Sequence, residues 1–131
     1  MVYVDSCIPM YLIGGAHPNK QLVIAMVPRL LHAREELLAS AESFQEIVHR
    51  YGGLRDYASL LTAYEAFEAI VNRTIDVTKA DVDRSRDLAG RHKRLSSRDC
   101  LHLAVMRRIG CERIWSFDKG FDRISGVTRI S

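Results

Sequence analysis

The sequence predicts an α/β fold, a three-layer α/β/α sandwich around a short, mostly parallel sheet. Three observations carry that prediction. Short apolar, β-branched runs recur at residues 1–4, 37–39, 75–77, 113–117 and 127–130. Longer segments with apolar residues at helical spacing separate them, the alternation expected of βαβ units. Acids follow two of the strands, Asp5 and Asp118, where open α/β sheets bind their ligands.

Taken in order, residues 1–4 read as a buried parallel strand ending at Asp5. Residues 6–12 start a helix that tolerates Pro9 in its first turn, and Gly14-Gly15 breaks it. A second helix covers 18–32, with a kink expected at Pro28. After the strand at 37–39, Ser40 caps a helix over 41–51 with Ala41, Phe44, Ile47, Val48 and Tyr51 on one face, ended by Gly52-Gly53. Residues 54–71 form the strongest helical pattern, a stripe of Leu54, Tyr57, Leu60, Leu61, Tyr64, Phe67, Ile70 and Val71. Thr78 and Asp81 make a capping box opening a helix to about His92. A basic loop, Arg91-His92-Lys93-Arg94, precedes a helix from Ser96 that ends at Gly110. The strand at 113–117 runs into the turn Asp118-Lys119-Gly120. The run at 127–130 reads as a strand at the sheet edge.

No repeat or linker divides the 131 residues, which read as one domain. With 47% hydrophobic and 27% charged residues, the composition suits a water-soluble protein with a real core. No apolar run approaches the roughly 20 residues needed to cross a bilayer, and the N-terminus does not read as a signal peptide. Cys7, Cys100 and Cys111 are odd in number and lack CxxC spacing, so free thiols in a reducing cytoplasm are expected. Charge is uneven: residues 1–72 carry 5 Lys/Arg against 8 Asp/Glu, residues 73–131 carry 14 against 8. A basic half suits either a polyanionic partner such as nucleic acid or a solvated basic face.

Each acid has an ordinary explanation. Asp5 can cap the helix that follows it, Asp99 can close a box opened by Ser96, and Asp118 can be the Asx residue of its turn. Glu46 lies opposite Phe44, Ile47 and Val48 on its wheel, as a solvated charge would. Asp99 shares its side of the helix with His102, Leu103 and Met106, so it points inward, which is costly for an unpaired carboxylate. His102 on that stripe reads as a satisfied core histidine rather than a base. Taken jointly, two acids ending strands and one pointing inward imply a shared cation. Oxygen-only ligands select Mg²⁺ or Mn²⁺, and such a site activates water and neutralises charge on a phosphodiester.

The motifs Val4-Asp5-Ser6, Ser40 with Glu46, Ser97-Arg98-Asp99-Cys100-Leu101-His102-Leu103-Ala104, and Ser116-Phe117-Asp118-Lys119-Gly120-Phe121-Asp122-Arg123-Ile124 resemble those of PIN-domain ribonucleases, and more narrowly VapC-type toxins of bacterial toxin–antitoxin pairs. The resemblance covers essentially the whole chain. It implies a PIN-like fold and a Mg²⁺ or Mn²⁺ site on Asp5, Glu46, Asp99 and Asp118, with Asp122 and Ser116 as accessories. It also implies an RNA substrate, a homodimer and a cognate antitoxin. Two points depart from the family pattern: Cys7 stands where many relatives carry Asn or Ser, and Glu42, one turn earlier, rivals Glu46.

The expected activity is therefore metal-dependent endoribonucleolytic cleavage, with Arg91, Lys93, Arg94 and Arg98 holding the RNA backbone. An antitoxin would lay an amphipathic segment into an apolar groove, which the Tyr57/Tyr64/Phe67 helix could line. The alternatives are a non-catalytic RNA- or protein-binding module of the same fold, and a structure-specific DNA nuclease, whose chains are typically longer. No Ser/His/Asp set and no Gly-rich phosphate loop can be read. Phosphatases with a first-strand aspartyl nucleophile want a second Asp two residues on, where Cys7 stands.

Overall fold

The structure is a computed structural model that describes residues 1–131. Five strands, β1 (Val2–Val4), β2 (Leu37–Ser40), β3 (Arg73–Ile75), β4 (Arg113–Trp115) and β5 (Thr128–Ile130), form one sheet in the order β3-β2-β1-β4-β5. Every pairing is parallel, including that of the edge strand β5, so the sheet is wholly rather than mostly parallel. Six helices flank it: α1 (Cys7–Ile13), α2 (Pro18–His32), α3 (Ala41–Gly53), α4 (Tyr57–Ile70), α5 (Lys79–Arg91) and α6 (Ser97–Ile109). A 3-10 helix spans Lys119–Arg123.

The strands bury both faces. Val2 and Val4 of β1 join Leu37, Ala39 and Trp115 under α1 to α4, while Tyr3, Leu38 and Ile114 pack on the other face under α5 and α6. Strands covered on both sides read as continuous apolar runs, which is why they were legible. Asp81, 2% exposed, is the deepest charge outside the acidic cleft. It completes the expected capping box with Thr78 and also accepts from Arg108 Nε (2.8 Å) and an Arg108 terminal nitrogen (2.9 Å). That paired charge ties α5 to α6, the helix that carries Asp99.

Three boundaries depart from expectation. The helix α3 absorbs Gly52 and Gly53, and the chain turns at Arg55, the left-handed residue (φ 53°), with Asp56 N–H donating to Tyr51 O at 2.9 Å. The helix α4 starts at Tyr57, capped by the Asp56 side chain on Ser59 N–H. Its stripe buries Phe67 fully but leaves Tyr57 69% and Leu61 42% exposed, so a good helical stripe overstated how much of it reaches the core. The strand β3 lies two residues earlier than expected, because Leu38 to Ser40 pair with Arg73 to Ile75. The helix α2 runs through Pro28 to His32 without interruption.

Candidate metal centre

Because β1 and β4 are adjacent and parallel, with Val4 opposite Trp115, the residues that leave them emerge side by side. Ser116 Oγ donates to Asp5 Oδ2 at 2.5 Å and accepts from Asp118 N–H at 3.0 Å. The Asp5 carboxylate is therefore not a helix cap, the simplest reading of the sequence. Ser6 holds the N-cap position of α1 but makes no cap bond with its side chain. It donates instead to Glu46 Oε2 at 2.6 Å. Of the two acids of α3, Glu46 is the one beside Asp5, and Glu42 is not in that cluster.

The second Glu46 oxygen meets His102 Nε2 at 2.5 Å. His102 is wholly buried, and its Nδ1 lies 2.7 Å from the Tyr3 hydroxyl, which donates to Ser40 Oγ at 2.7 Å. Each ring nitrogen thus has a polar partner, the Tyr3 hydroxyl on one side and the Glu46 carboxylate on the other. Burial works against a charged ring, but the Tyr3 oxygen and the Glu46 carboxylate hold the imidazole well above its ordinary pKa. Burial likewise raises the Glu46 carboxyl, but the His102 hydrogen bond and charge, then Ser6 and Arg98, bring it below the usual range. His102 is a satisfied histidine, as expected. Its engagement with Glu46 was not legible in the sequence.

At the other end, Ser96 Oγ accepts from Asp99 N–H at 3.1 Å. The return bond that completes the Thr78–Asp81 box is missing, so the Asp99 carboxylate is free to face the cleft. Burial, then the negative charges of Asp5 and Asp118, push it up to about 6. Asp118 caps the 3-10 helix, accepting from Gly120 N–H at 2.7 Å. The loop before α6 packs close here: a Cβ on Gly120 would fall 3.0 Å from Asp118 Oδ1 and from Leu95 Cδ2. Asp5 is thus the link, within ligand distance of Glu46 and within electrostatic reach of Asp99, which in turn feels Asp118.

The donor set fits a hard divalent cation. Ligand atoms of Asp5, Glu46 and His102 lie within 4.8 Å of one another, but both His102 nitrogens are occupied, which leaves oxygens as the available ligands. Burial first, and then the neighbouring carboxylates, raise the Asp99 carboxyl, and a bound cation would offset both.

Asp122 is engaged elsewhere. Both its oxygens accept from Arg129, at 2.7 and 3.0 Å, and Arg129 donates to Ser116 O at 3.0 Å. It acts on the cleft only through the backbone of Ser116. Arg91, Lys93, Arg94 and Arg98 are all exposed. The first three line a pocket of about 180 Å³ with Gly120 and Arg123. Arg98 lines a separate groove of about 510 Å³ that Ser6 and Glu46 share. The Cys7 thiol is held protonated, its pKa raised by burial and by Asp5. The residues missed from the sequence are Tyr3, Ser6 and Arg129. Each is ordinary by itself, and only the pairing of distant segments gives it a partner.

The chain matches the PIN domain family over residues 2–127. It is 38% identical to Ribonuclease VapC13 of Mycobacterium tuberculosis over 131 residues, the whole of both chains. It is 34% identical to Ribonuclease VapC23 of the same organism over 118 residues, covering 90% of this chain and 93% of the relative. The fold superposes on VapBC2 from Rickettsia felis, solved bound to a promoter DNA fragment, with a TM-score of 0.75, 13% identity, and 99% and 98% of the two chains covered.

Proposed function

The chain belongs to the PIN-domain family, among the VapC ribonucleases, and from that premise we propose that Asp5, Glu46, Asp99 and Asp118 are the hydrolytic centre of a metal-dependent endoribonuclease, the toxin of a toxin–antitoxin pair. The observation that supports this reading is that Asp5 and Glu46 come within ligand distance of each other while Asp99 lies within electrostatic reach of Asp5 and Asp118. Mg²⁺, or Mn²⁺ in its place, would be held by these oxygens, and when bound supplies activation of water and neutralisation of phosphate charge. The protein's own groups set the geometry. Ser116 fixes Asp5, Ser6 and His102 fix Glu46, and Gly120 lets Asp118 approach. Arg91, Lys93, Arg94 and Arg98 hold phosphates to either side.

The chain acts as one nuclease domain. Its three free cysteines fit a reducing cytoplasm, and no helix is long and apolar enough to cross a membrane. As the toxin of such a pair, the chain would be held by a cognate antitoxin. The exposed Leu54, Tyr57 and Leu61 provide apolar surface for that partner or for a homodimer.

Purified protein is expected to cut RNA with Mg²⁺ or Mn²⁺ and to stop in excess EDTA. RNA 5′ ends sequenced after brief induction should show discrete cuts that vanish in Asp5→Ala. Cleavage that persists equally in EDTA, in a preparation free of other nucleases, would overturn the assignment. The nuclease reading is preferred to the non-catalytic one because each of the four matched positions holds an acid.

A further inference from the structure

Resting on the endoribonuclease reading, we infer that the groove between α1 and α3 is a nucleotide subsite, which takes one nucleoside adjoining the scissile phosphate. The groove has about 510 Å³, within the size range of small-ligand sites. It opens onto the catalytic cleft, because Ser6 and Glu46 line both. Its wall is divided. Cys7, Met10 and Leu54 form an apolar side, while Arg50 and Arg98 form a cationic one. Neither arginine is in a salt bridge, although Arg98 acts on Glu46 through its charge.

That division matches the two chemistries of a nucleotide. A base offers an apolar face to stack on Met10 and Leu54, and a phosphate takes an unpaired guanidinium. Leu54, 62% exposed, offers its apolar side chain at the groove. The apolar wall continues past Met10 to Tyr11 and Tyr51, which provides room for a base rather than a phosphate alone. A bound protein segment is the competing occupant, but it would not need two free guanidinium groups beside the carboxylates.

The test uses an RNA oligonucleotide whose cut position is mapped, with an abasic residue placed on one side or the other of the scissile bond. For wild-type protein, one of the two abasic substrates should be cut about 10-fold less efficiently. Met10→Ala and Leu54→Ser should erase that difference, and Arg50→Ala should raise KM about 10-fold with little change in kcat. The same dependence should appear in binding of the intact and abasic oligonucleotides to Asp5→Asn protein, measured by fluorescence anisotropy. If both abasic substrates behave as the intact one, or if the groove variants leave the difference in place, the inference is wrong, and a protein segment becomes the better occupant. That failure is separable from failure of the nuclease reading, because wild-type cleavage would remain dependent on Asp5 and on divalent metal. No cleavage by wild-type protein at all would remove both.

Discussion

At one end of the acidic cleft, Glu46 accepts from Ser6 and pairs with the buried His102 ring, and its carboxyl sits below the usual range. At the other end, burial and the charges of Asp5 and Asp118 outweigh the Ser96 hydrogen bond and the His102 charge, and the Asp99 carboxyl is pushed up to about 6. Two carboxylates of one site are held in opposite ways. The Glu46 end is compensated by the fold, through a chain of buried hydrogen bonds from Ser40 through Tyr3 to His102. The Asp99 end is compensated only in part, so a cation would have most to relieve there. A site with every carboxylate neutralised internally would have little left to offer an ion.

The sharpest way to break this contrast is Asp99→Asn. Cleavage should fall by about 10³-fold or more, since metal-borne stabilisation of the transition state is worth several kcal/mol. In EDTA the variant should nonetheless melt higher than wild type, by about 3 °C, as repulsion is relieved. It should also lose the stabilisation that Mn²⁺ confers on wild type. An unchanged Mn²⁺ response in thermal melts would mean that Asp99 is not a ligand.

Tyr3→Phe strikes the compensated end. It removes the hydroxyl bonded to His102 and leaves the ring packing intact. Cleavage should fall 10- to 100-fold, the range for groups that orient ligands, and stability should drop by about 1–2 kcal/mol for the orphaned buried partner. In a Glu46→Gln background the stability cost should persist while the further loss of activity disappears. An equal loss of activity in both backgrounds would show that Tyr3 does not work through Glu46.

The pH dependence separates the two ends without mutating the compensated one. In EDTA, folded Asp99 keeps its proton up to about pH 6, whereas unfolded Asp99 loses it near the ordinary aspartate value of 3.8. Between those limits the native state binds the extra proton, so this residue's contribution to stability falls as pH rises. Wild type and Asp99→Asn should therefore melt together near pH 4, separate as pH climbs through 6, and stay apart above it. A gap independent of pH would remove the charge explanation. The smallest effect belongs to Asp122→Asn. Loosening the half-exposed pair with Arg129 should cost at most about 0.5 kcal/mol and lower cleavage about 2-fold, by loosening the Ser116 carbonyl.

Much of this was legible beforehand for definite reasons. Doubly buried strands cannot hide their apolar runs, and the Thr78–Asp81 box and Gly110 (φ 70°) mark helix ends by local chemistry. Asp5 and Asp118 could be placed at strand ends because parallel topology sends every strand's carboxyl end to one edge. Glu46 was harder. Its own helical wheel placed it in solvent, and only family resemblance drew it into the site. The wheel failed because the core of α3 is not the only thing that α3 faces: Ser6 and His102 approach from the side. Asp122 went the other way, since its place in a motif could not show that Arg129 would claim it.

The amino-acid order alone determined the strand and helix sequence and the acidic residues offered at the strand ends and helix starts, since these follow from local pattern. Tertiary structure alone decided which acids are compensated and which are not. A carboxylate's charge state depends on what stands within a few ångströms of it, and here those neighbours come from 40 and 56 residues away, from Ser6 and His102 to Glu46.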